Sequence, residues 1–487
     1  MEPSALVDLV VGFYRHEAGL GEGDGVVLAV SGGIDSMALA HASLQIVDGP
    51  RFQIAHFDHQ LRPDSRADRD LVRDFAAAAG VTFHSAADDV AGFVREDGRS
   101  VEEAARLVRY RYLEAVRHET GARFVAVAHH RDDQAETVLL RLVRGSGLRG
   151  LRAMRPVAEH IIRPLLTIGR EDIVRYQGAA GFEYRDDPTN AHPTADRNRI
   201  RLGVLPALRD IRPGVAVVLA RTADTLDGDV EALRWAASEA LDRCAPRELQ
   251  GALEICRAPL AELPAGVIRA VLRHIAEQRS GEFPRRSDIE AAAAFCLETK
   301  SGGSLTLGRS LQIRRSAGRL LFAPAGDWRP APDAEIPLEV PGRIELPVLG
   351  ATLTARTVNG DAATRLAASF NQAGRDRDPL VAAVDRDRLA GPLSVRGGLP
   401  ADVFQAFGRD ESVALAEYLA RKRVPDWQRP LTPLLVAGTN IAWVAGVEIG
   451  EFCRLRPESR RLLELRLEYR GGPPGPPRTA PVADPEG

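Results

Sequence analysis

A short loop near the start of the chain, Ser-Gly-Gly-Ile-Asp-Ser at residues 31–36, combines residue types that can hold a phosphate group. It follows the apolar segment Val26–Val30 and precedes an apolar helical pattern, so we expect it to join a strand to a helix. Gly32 and Gly33 allow a tight turn with exposed N–H groups, and the helix start adds further N–H groups. These features predict an anion site at the carboxyl end of a strand, although a capped strand–helix turn would use similar residues.

Asp35 is the loop residue that a phosphate alone does not explain, because its carboxylate would repel the anion. A metal ion such as Mg²⁺ between the two groups would remove that repulsion. We therefore predict a metal-binding role for Asp35. The residues predicted to contact the phosphates are Ser31, Gly32, Gly33, Ile34, Asp35 and Ser36.

The distribution of lysine excludes the commonest nucleotide-binding loop. The two lysines of this 487-residue chain are Lys300 and Lys422, and the remaining basic residues are arginines. A Walker A loop uses a lysine to contact phosphates. The N-terminal half of the chain therefore cannot contain one.

Polar residues also follow two other predicted strands. His56, Asp58, His59 and Arg62 lie at or just after the end of the strand predicted at 52–57. The strand predicted at 124–128 is followed by His129, His130, Asp133 and Glu136. Asp133 and Glu136 have the spacing of a capping box, but two histidines and two acids exceed what a helix cap needs. We expect both groups of side chains to lie at the same sheet edge as the loop.

Arginines form three further candidate sites. Arg106 and Arg109 are one turn apart on a predicted helix, where nearby glutamates could simply pair with Arg106. Arg197 and Arg201 precede an apolar segment, and the pattern Gly145-Ser-Gly147-Leu-Arg-Gly150 is flanked by arginines at 144, 149 and 152. This glycine pattern follows a helix instead of a strand, so it fails the context of a dinucleotide fingerprint. A substrate-facing loop or a solvated face would both fit it.

Length and patterning predict several domains. The first ~210 residues alternate short apolar strands (26–30, 52–57, 81–83, 124–128) with helical patterns, which is typical of a doubly wound, mostly parallel α/β sheet. Helical, Pro-rich and mixed segments follow. The predicted units are a catalytic domain at 1–212, a mainly helical domain at 213–323, a Pro-rich linker with β segments at 324–380, a small α+β domain at 381–470 and a disordered tail at 471–487.

Composition narrows the class of protein. A net charge of −3 and 45% hydrophobic residues describe a globular chain, and no apolar run reaches the roughly 18–20 residues of a membrane span. The N-terminus is a poor signal peptide, so the expected location is the cytoplasm. The four cysteines have no CxxC spacing and all follow residue 240, so neither a zinc site nor a redox pair is predicted.

The motifs together resemble a known family. SGGIDS is similar to the phosphate loop of the N-type ATP pyrophosphatases, whose adenine nucleotide α-hydrolase-like fold fits the predicted sheet. The wider set of fragments resembles the tRNA(Ile)-lysidine synthetase family: HFDHQLRPDS, EEAARLVRY, HHRDDQAET, RGSGLRGL, DRNRIR and, near the C-terminus, VRGGLPADVF, LARKRVPDWQRPLTPLLV and IAWVAG.

This resemblance implies a two-step ligation. The C2 oxygen of the wobble cytidine in the CAU anticodon of tRNA(Ile) attacks the α-phosphate of ATP, and free L-lysine then displaces AMP to form lysidine. It implies that the loop binds ATP and that Asp35 acts in catalysis through Mg²⁺. It also implies that Asp133 recognises or activates lysine, and that His129 transfers protons or contacts phosphate. Substrate contacts are expected from Arg106, Arg109, Arg197 and Arg201.

Two alternatives stay open at this point. One is a tRNA thiolase of the same superfamily, although many of those use active-site cysteines, often paired as CxxC, and all four cysteines of this chain lie outside the N-terminal domain. The other is a non-catalytic adenine-nucleotide-binding protein. Trp427, Arg429 and Trp443 are candidate RNA contacts, with Trp443 expected to be buried instead. The oligomeric state is undetermined, a homodimer being one option.

Overall fold

The computed structural model describes residues 2–60, 65–88, 101–185, 196–373 and 378–469. The chain divides into two compact units, Met1–Ala232 and Leu233–Gly487. No helix in these described ranges is long and apolar enough to cross a membrane.

The first unit contains a six-stranded sheet in the order β3-β2-β1-β4-β6-β5. Neighbouring strands run parallel except for the β5–β6 pair. The strands are β1 (Gly25–Ala29), β2 (Arg51–Asp58), β3 (Phe83–Ala87), β4 (Phe124–Ala126), β5 (Val157–Ala158) and β6 (Ile161–Ile162). The predicted parallel α/β architecture is confirmed.

Helices surround this sheet. They are α1 (Pro3–Gly12), α2 (Ile34–Leu44), α3 (Ser65–Ala78), α4 (Val101–Thr120), α5 (Arg131–Val143), α6 (Leu148–Leu151), α7 (Arg170–Ala180), α8 (Asp196–Arg199), α9 (Leu205–Ile211) and α10 (Val215–Arg243). A π-helical turn at Ile200–Val204 joins α8 to α9. The helix α10 continues across the division between the two units.

The central strand β1 is buried on both faces. Val26 and Leu28 pack into one hydrophobic cluster with residues of α1 and α2, whereas Val27 packs into a second cluster with Leu113 and Val116 of α4. This two-sided burial explains why the strand sequence is continuously apolar.

The third strand begins later than its sequence suggests. The apolar segment 81–83 predicts a strand there, but β3 spans Phe83–Ala87. The N–H of Val81 donates to the Ala76 carbonyl at the end of α3 (3.1 Å), so Val81 belongs to the turn that closes this helix.

The second unit begins with a sheet that the sequence did not predict. Alongside the helices α11 (Arg257–Ala261), α12 (Ala265–Ser280) and α13 (Arg286–Leu297), the predicted mainly helical segment contains five strands in the order β7-β8-β11-β10-β9. They are β7 (Arg247–Leu249), β8 (Ala252–Cys256), β9 (Ser304–Leu307), β10 (Leu311–Ser316) and β11 (Arg319–Pro324).

The rest of this unit has two further sheets, in the orders β13-β14-β22-β15 and β12-β16-β19-β20-β21, and a short β17–β18 pair. The strands are β12 (Ile336–Pro337), β13 (Gly342–Leu346), β14 (Ala351–Asn359), β15 (Val381–Asp385), β16 (Leu393–Arg396), β17 (Val403–Phe404), β18 (Val413–Ala414), β19 (Leu434–Ala437), β20 (Asn440–Val444), β21 (Glu448–Ile449) and β22 (Arg461–Tyr469). The helices are α14 (Gly360–Ala373) and α15 (Leu415–Arg421).

Candidate active site

The loop at residues 31–36 lies at the centre of the sheet edge. It leaves β1, whose neighbours β2 and β4 lie on opposite sides, so the chain order reverses at this strand. Open α/β sheets bind ligands at such a point, beyond the carboxyl ends of the strands. A cavity of about 430 Å³ opens there, which is within the size range of small-molecule sites.

The loop presents backbone donors to this cavity. Gly32 has a φ of +93°, a conformation that favours glycine, and a Cβ there would lie 3.4 Å from the Cβ of Asp68. Gly33 is the N-cap of α2, and none of the described side chains caps this helix. The first N–H groups of α2 are therefore suited to an anion.

Two serines close the loop. The Ser31 N–H donates to Oγ of Ser36 (3.1 Å), and the Ser36 hydroxyl donates to the Gly33 carbonyl (2.9 Å). The two hydroxyl oxygens lie 3.1 Å apart. The serines thus hold the loop in shape, and Ser31 is exposed where a ligand could reach its hydroxyl.

Asp35 lies in the cavity wall as a partly buried carboxylate. Its Oδ1 is buried without a hydrogen-bond partner among the described residues, and its Oδ2 is 3.8 Å from Nε2 of His130. Burial raises the pKa of Asp35, and the nearby Asp133 adds to this effect, whereas His130 and Arg170 oppose it. An orphaned carboxylate oxygen of this kind can accept a cation carried by a ligand.

The start of α5 brings His130 and Asp133 beside the loop. Nδ1 of His130 accepts from the Asp132 N–H (3.2 Å), and Oδ2 of Asp133 accepts from the His130 N–H (3.0 Å), which completes a capping box. Asp133 also lies 3.4 Å from Nε2 of His130. The cap and the site therefore share the same residues.

Asp133 belongs to an ion-pair network with Glu136, Arg197 and Arg201. Its Oδ1 accepts from Arg197 (2.9 Å) and Arg201 (3.0 Å), and Glu136 accepts from Nε of the same two arginines (2.9 and 2.5 Å). Burial opposes ionisation of Asp133, but His130 and Arg197 outweigh it and lower its pKa to about 2. Asp133 is therefore an anion at neutral pH.

His129 and His59 are neutral in this cavity. Burial lowers the pKa of His129 to about 3, and burial together with the nearby Arg109 lowers that of His59 to about 4. Nδ1 of each ring is buried without a hydrogen-bond partner in the described part of the chain. His56, also in the wall, instead contacts the Val30 carbonyl through Nδ1 (2.9 Å).

The predicted arginines separate into different positions. Arg109 and Arg201 line the cavity, whereas Arg197 is not in its wall and pairs with Asp133 (2.9 Å). Arg106 is exposed and is not part of the wall; its guanidinium donates to the Tyr110 hydroxyl (3.3 Å). A substrate contact of Arg106 stays a prediction.

Other predicted sites have mixed outcomes. Of the arginines next to the glycine pattern at 145–150, Arg144 pairs with Asp196 (3.3 Å) and Arg152 pairs with Asp227 (2.8 Å). Arg62 lies outside the described residues. Trp443 is buried as expected.

Trp427 is not available as an RNA contact, so this prediction is wrong. Its side chain is 2% exposed, and Nε1 donates to Oε1 of the buried Glu254 (2.7 Å). The side chain belongs to a hydrophobic cluster in the second unit with Leu249, Leu321 and Leu431.

Sequence reasoning missed Arg185 and Asp68. Arg185 lines the cavity, its N–H donates to the Gly32 carbonyl (2.9 Å), and its Nε donates to Oδ1 of Asp68 (2.6 Å). No local signal in the sequence identified this arginine or its partner.

Comparisons with known families agree with the motifs. Residues 14–208 match the PP-loop domain, and residues 393–465 match the TilS substrate C-terminal domain. The resemblance found in the sequence is confirmed, and the N-terminal match includes every site residue predicted in the catalytic domain.

The chain is similar along most of its length to curated proteins called tRNA(Ile)-lysidine synthase. It is 35% identical to that of Symbiobacterium thermophilum over 490 residues, covering 96% of this chain and 99% of the relative. It is 32% identical to that of Geobacter sulfurreducens, covering 92% of this chain and 94% of the relative.

Proposed function

Because this chain belongs to the tRNA(Ile)-lysidine synthase family, we propose that it ligates lysine to C2 of the wobble cytidine in the CAU anticodon of tRNA(Ile). Membership makes it an ATP-using tRNA-modifying enzyme. The product would be lysidine, with ATP converted to AMP and pyrophosphate. The observation that carries this proposal is one cavity lined by the uncapped phosphate loop with Asp35 and by His129, with His130 joining Asp35 to Asp133 beside it.

In the first step, the loop would hold the phosphates of ATP while the C2 oxygen of the cytidine attacks the α-phosphorus. The N–H groups at the start of α2 and the Ser31 hydroxyl are the donors, and they keep the phosphate in line with the attacking oxygen. Pyrophosphate leaves, and an adenylated cytidine remains. A single unstacked base can reach the sheet edge, as recognition of single-stranded RNA requires.

Mg²⁺ is a proposed companion of ATP. Among the described residues, no group of three or more His, Cys, Asp or Glu side chains is placed to hold a metal ion. Asp35 fits a nucleotide-borne ion, because Mg²⁺ commonly takes one or two carboxylates and completes its shell with phosphates and water. When bound, the ion would neutralise charge on the phosphates.

In the second step, the side-chain amino nitrogen of lysine (Nζ) would attack C2 of the adenylated base and expel AMP. Lysine arrives as an ammonium ion, and the ionised Asp133 is suited to bind it. The amine must lose a proton before attack, and His129 is proposed to accept it or to contact phosphate, because it lines the cavity and its Nδ1 has no hydrogen-bond partner among the described residues. Arg109, Arg197 and Arg201 are proposed to contact the lysine carboxylate, phosphate or RNA.

We also propose that the protein is located in the cytoplasm.

Incorporation of labelled lysine tests this function. The full-length protein is incubated with ATP, radiolabelled lysine and a tRNA(Ile) transcript that has a CAU anticodon. We expect label in this RNA and none in a transcript whose wobble cytidine is replaced by uridine. The matched variant Asp35→Ala should release no pyrophosphate and incorporate no label.

Two results would contradict the proposal. Wild-type protein that incorporates no lysine while binding ATP would indicate a non-catalytic nucleotide-binding protein. Modification that requires a sulfur donor instead of lysine would indicate a thiolase.

A further inference from the structure

Arg185 connects the phosphate loop to α3. Its backbone N–H donates to the carbonyl of Gly32, and its Nε donates to Asp68 of α3 at 2.6 Å. A Cβ at Gly33 would lie 4.0 Å from the Arg185 carbonyl, so this residue also passes close to the second loop glycine. The contacts fix both the backbone and the side chain of Arg185 beside the loop.

We propose that Arg185 binds the β- and γ-phosphates of ATP and stabilises the departing pyrophosphate, with Asp68 setting the direction of its guanidinium. This inference rests on the proposed cleavage of ATP between the α- and β-phosphates. It adds a residue that no motif had indicated.

The first support is position within the cavity. Among the described residues, four arginines line it: Arg109, Arg170, Arg185 and Arg201. Arg201 pairs with Asp133 and Glu136, and Arg109 lies beside His59. Of these four, Arg185 has a hydrogen bond to the phosphate loop itself.

The second support is the chemistry of the leaving group. Pyrophosphate carries several negative charges, and its departure requires fixed positive charge or donors at the place where that charge develops. Phosphate loops often use a lysine for this task, but the first lysine of this chain is Lys300. An arginine beside the loop supplies a charge that does not depend on pH, together with a planar set of donors.

The third support is the buried partner of Arg185. Nε of Arg185 donates to Oδ1 of Asp68, whose side chain is 11% exposed, whereas the Arg185 side chain is 39% exposed. This carboxylate sets the direction of the guanidinium, while part of the arginine side chain is accessible from the cavity that it lines.

The test compares Arg185→Gln, Arg185→Lys and Asp68→Asn in the full-length protein. Calorimetry without tRNA or lysine measures the affinity for magnesium pyrophosphate and, separately, for AMP. We expect Arg185→Gln to weaken pyrophosphate binding by about 10- to 100-fold, the effect of losing a charged hydrogen bond. AMP binding should change by less than about 2-fold, which also shows that the variant is folded.

The other variants distinguish a direct contact between Arg185 and phosphate from a role of Arg185 in supporting the loop structure. Arg185→Lys keeps the charge and should recover part of the affinity, and Asp68→Asn keeps the arginine and should weaken pyrophosphate binding much less than Arg185→Gln. Equal losses in Arg185→Gln and Asp68→Asn, with no recovery by lysine, would overturn the proposal in favour of a purely structural role. Arg73→Gln is the matched control, because Arg73 is exposed on the same helix α3 and pairs with Asp70 and Asp74.

The test of Arg185 can succeed or fail independently of the proposed lysine ligation. If wild-type protein incorporates lysine into tRNA but Arg185→Gln binds pyrophosphate as tightly as wild type, the inference fails and the function stands. If Arg185→Gln loses pyrophosphate binding and wild-type protein incorporates no lysine, the function fails and the phosphate contact stands. Equal weakening of AMP and pyrophosphate would overturn the assignment to the leaving group.

Discussion

Asp35 has to be ionised for its proposed role although its surroundings disfavour the charge. Burial raises its pKa, and Oδ1 is buried without a partner among the described residues. Such a carboxylate destabilises the ligand-free protein, since a buried charge without full compensation is unfavourable. A bound cation would relieve this cost, so the residue links folding free energy to ligand binding.

We predict that Asp35→Asn abolishes pyrophosphate release but raises the melting temperature of the ligand-free protein at pH 7. The pKa of Asp35 is higher in the folded than in the unfolded state, so ionisation destabilises the fold at neutral pH. Below the unfolded pKa of about 4, both states are protonated and the difference should disappear. Calorimetric melting between pH 4 and 7 measures this effect.

Asp74→Asn is the control, because Asp74 is an exposed carboxylate on α3 whose side chain is 70% exposed. It should leave both pyrophosphate release and the melting temperature nearly unchanged. An Asp35→Asn protein that melts below wild type at pH 7 would show that the carboxylate is stabilising in the absence of ligand.

At this scale, the sequence predicted the functional residues that are adjacent in the chain. The loop at 31–36 presents its glycines, hydroxyls and carboxylate in one short segment, and its features agree with the described geometry. Arg185 could not be identified in this way, because only the folded chain brings it to Gly32 and Asp68.

At the scale of elements, ion pairs connect α5 to the segment formed by α8 and the π-helical turn that follows it. Arg197 and Arg201 each contact both Asp133 and Glu136, and the Glu136 side chain is 2% exposed. Removing one partner of a buried ion pair leaves the other charge uncompensated, which is strongly unfavourable. The network therefore positions Asp133 while it stabilises the packing of these segments.

We predict that Arg201→Met lowers the free energy of unfolding by about 2–4 kcal/mol, less than the loss of a fully enclosed pair because Arg197 still contacts both acids. Arg199→Met is the matched control two residues away, where the side chain is exposed, and it should change stability by less than about 0.5 kcal/mol. Urea denaturation followed by circular dichroism measures both variants. Equal effects of the two substitutions would contradict the structural role of the network.

Strands were predictable from the sequence where burial of both faces requires a continuous apolar segment. The strand β1 is apolar because both faces are covered, and this pattern is visible in the sequence. The sheet β7–β11 was missed because its strands are short, with three to six residues, and share no single burial pattern: β10 alternates buried and partly buried residues over its first four positions, whereas four consecutive residues are buried in β8 and in β11. Its pairing depends on contacts between segments far apart in sequence, as for Leu253 of β8 and Phe322 of β11.

At the scale of the whole molecule, Trp427 joins distant parts of the second unit. It donates to Glu254 of β8, and Gln428 donates to the same carboxylate oxygen (2.5 Å). Glu254 is fully buried, and its second oxygen has no hydrogen-bond partner among the described residues. The segment after α15 is thereby fixed to a sheet formed much earlier in the chain.

We predict that Trp427→Phe destabilises the protein by about 2–4 kcal/mol, because it removes a hydrogen bond to a buried carboxylate and leaves unfilled volume. Binding of tRNA by the folded variant should be unchanged, since the side chain is buried. Trp235→Phe is the control, because Trp235 is 68% exposed and its loss should leave stability within about 0.5 kcal/mol. Denaturation and filter binding measure the two properties, and weaker tRNA binding without destabilisation would contradict this assignment.

The central claim is that the cavity at the loop adenylates the wobble cytidine before lysine attacks it. The most direct test incubates the full-length protein with ATP labelled at the α-phosphate and CAU-anticodon tRNA(Ile), first without lysine. We predict that label enters the tRNA with release of one pyrophosphate, and that added lysine then releases labelled AMP. Release of ADP and inorganic phosphate, or label that never enters the tRNA, would contradict the account.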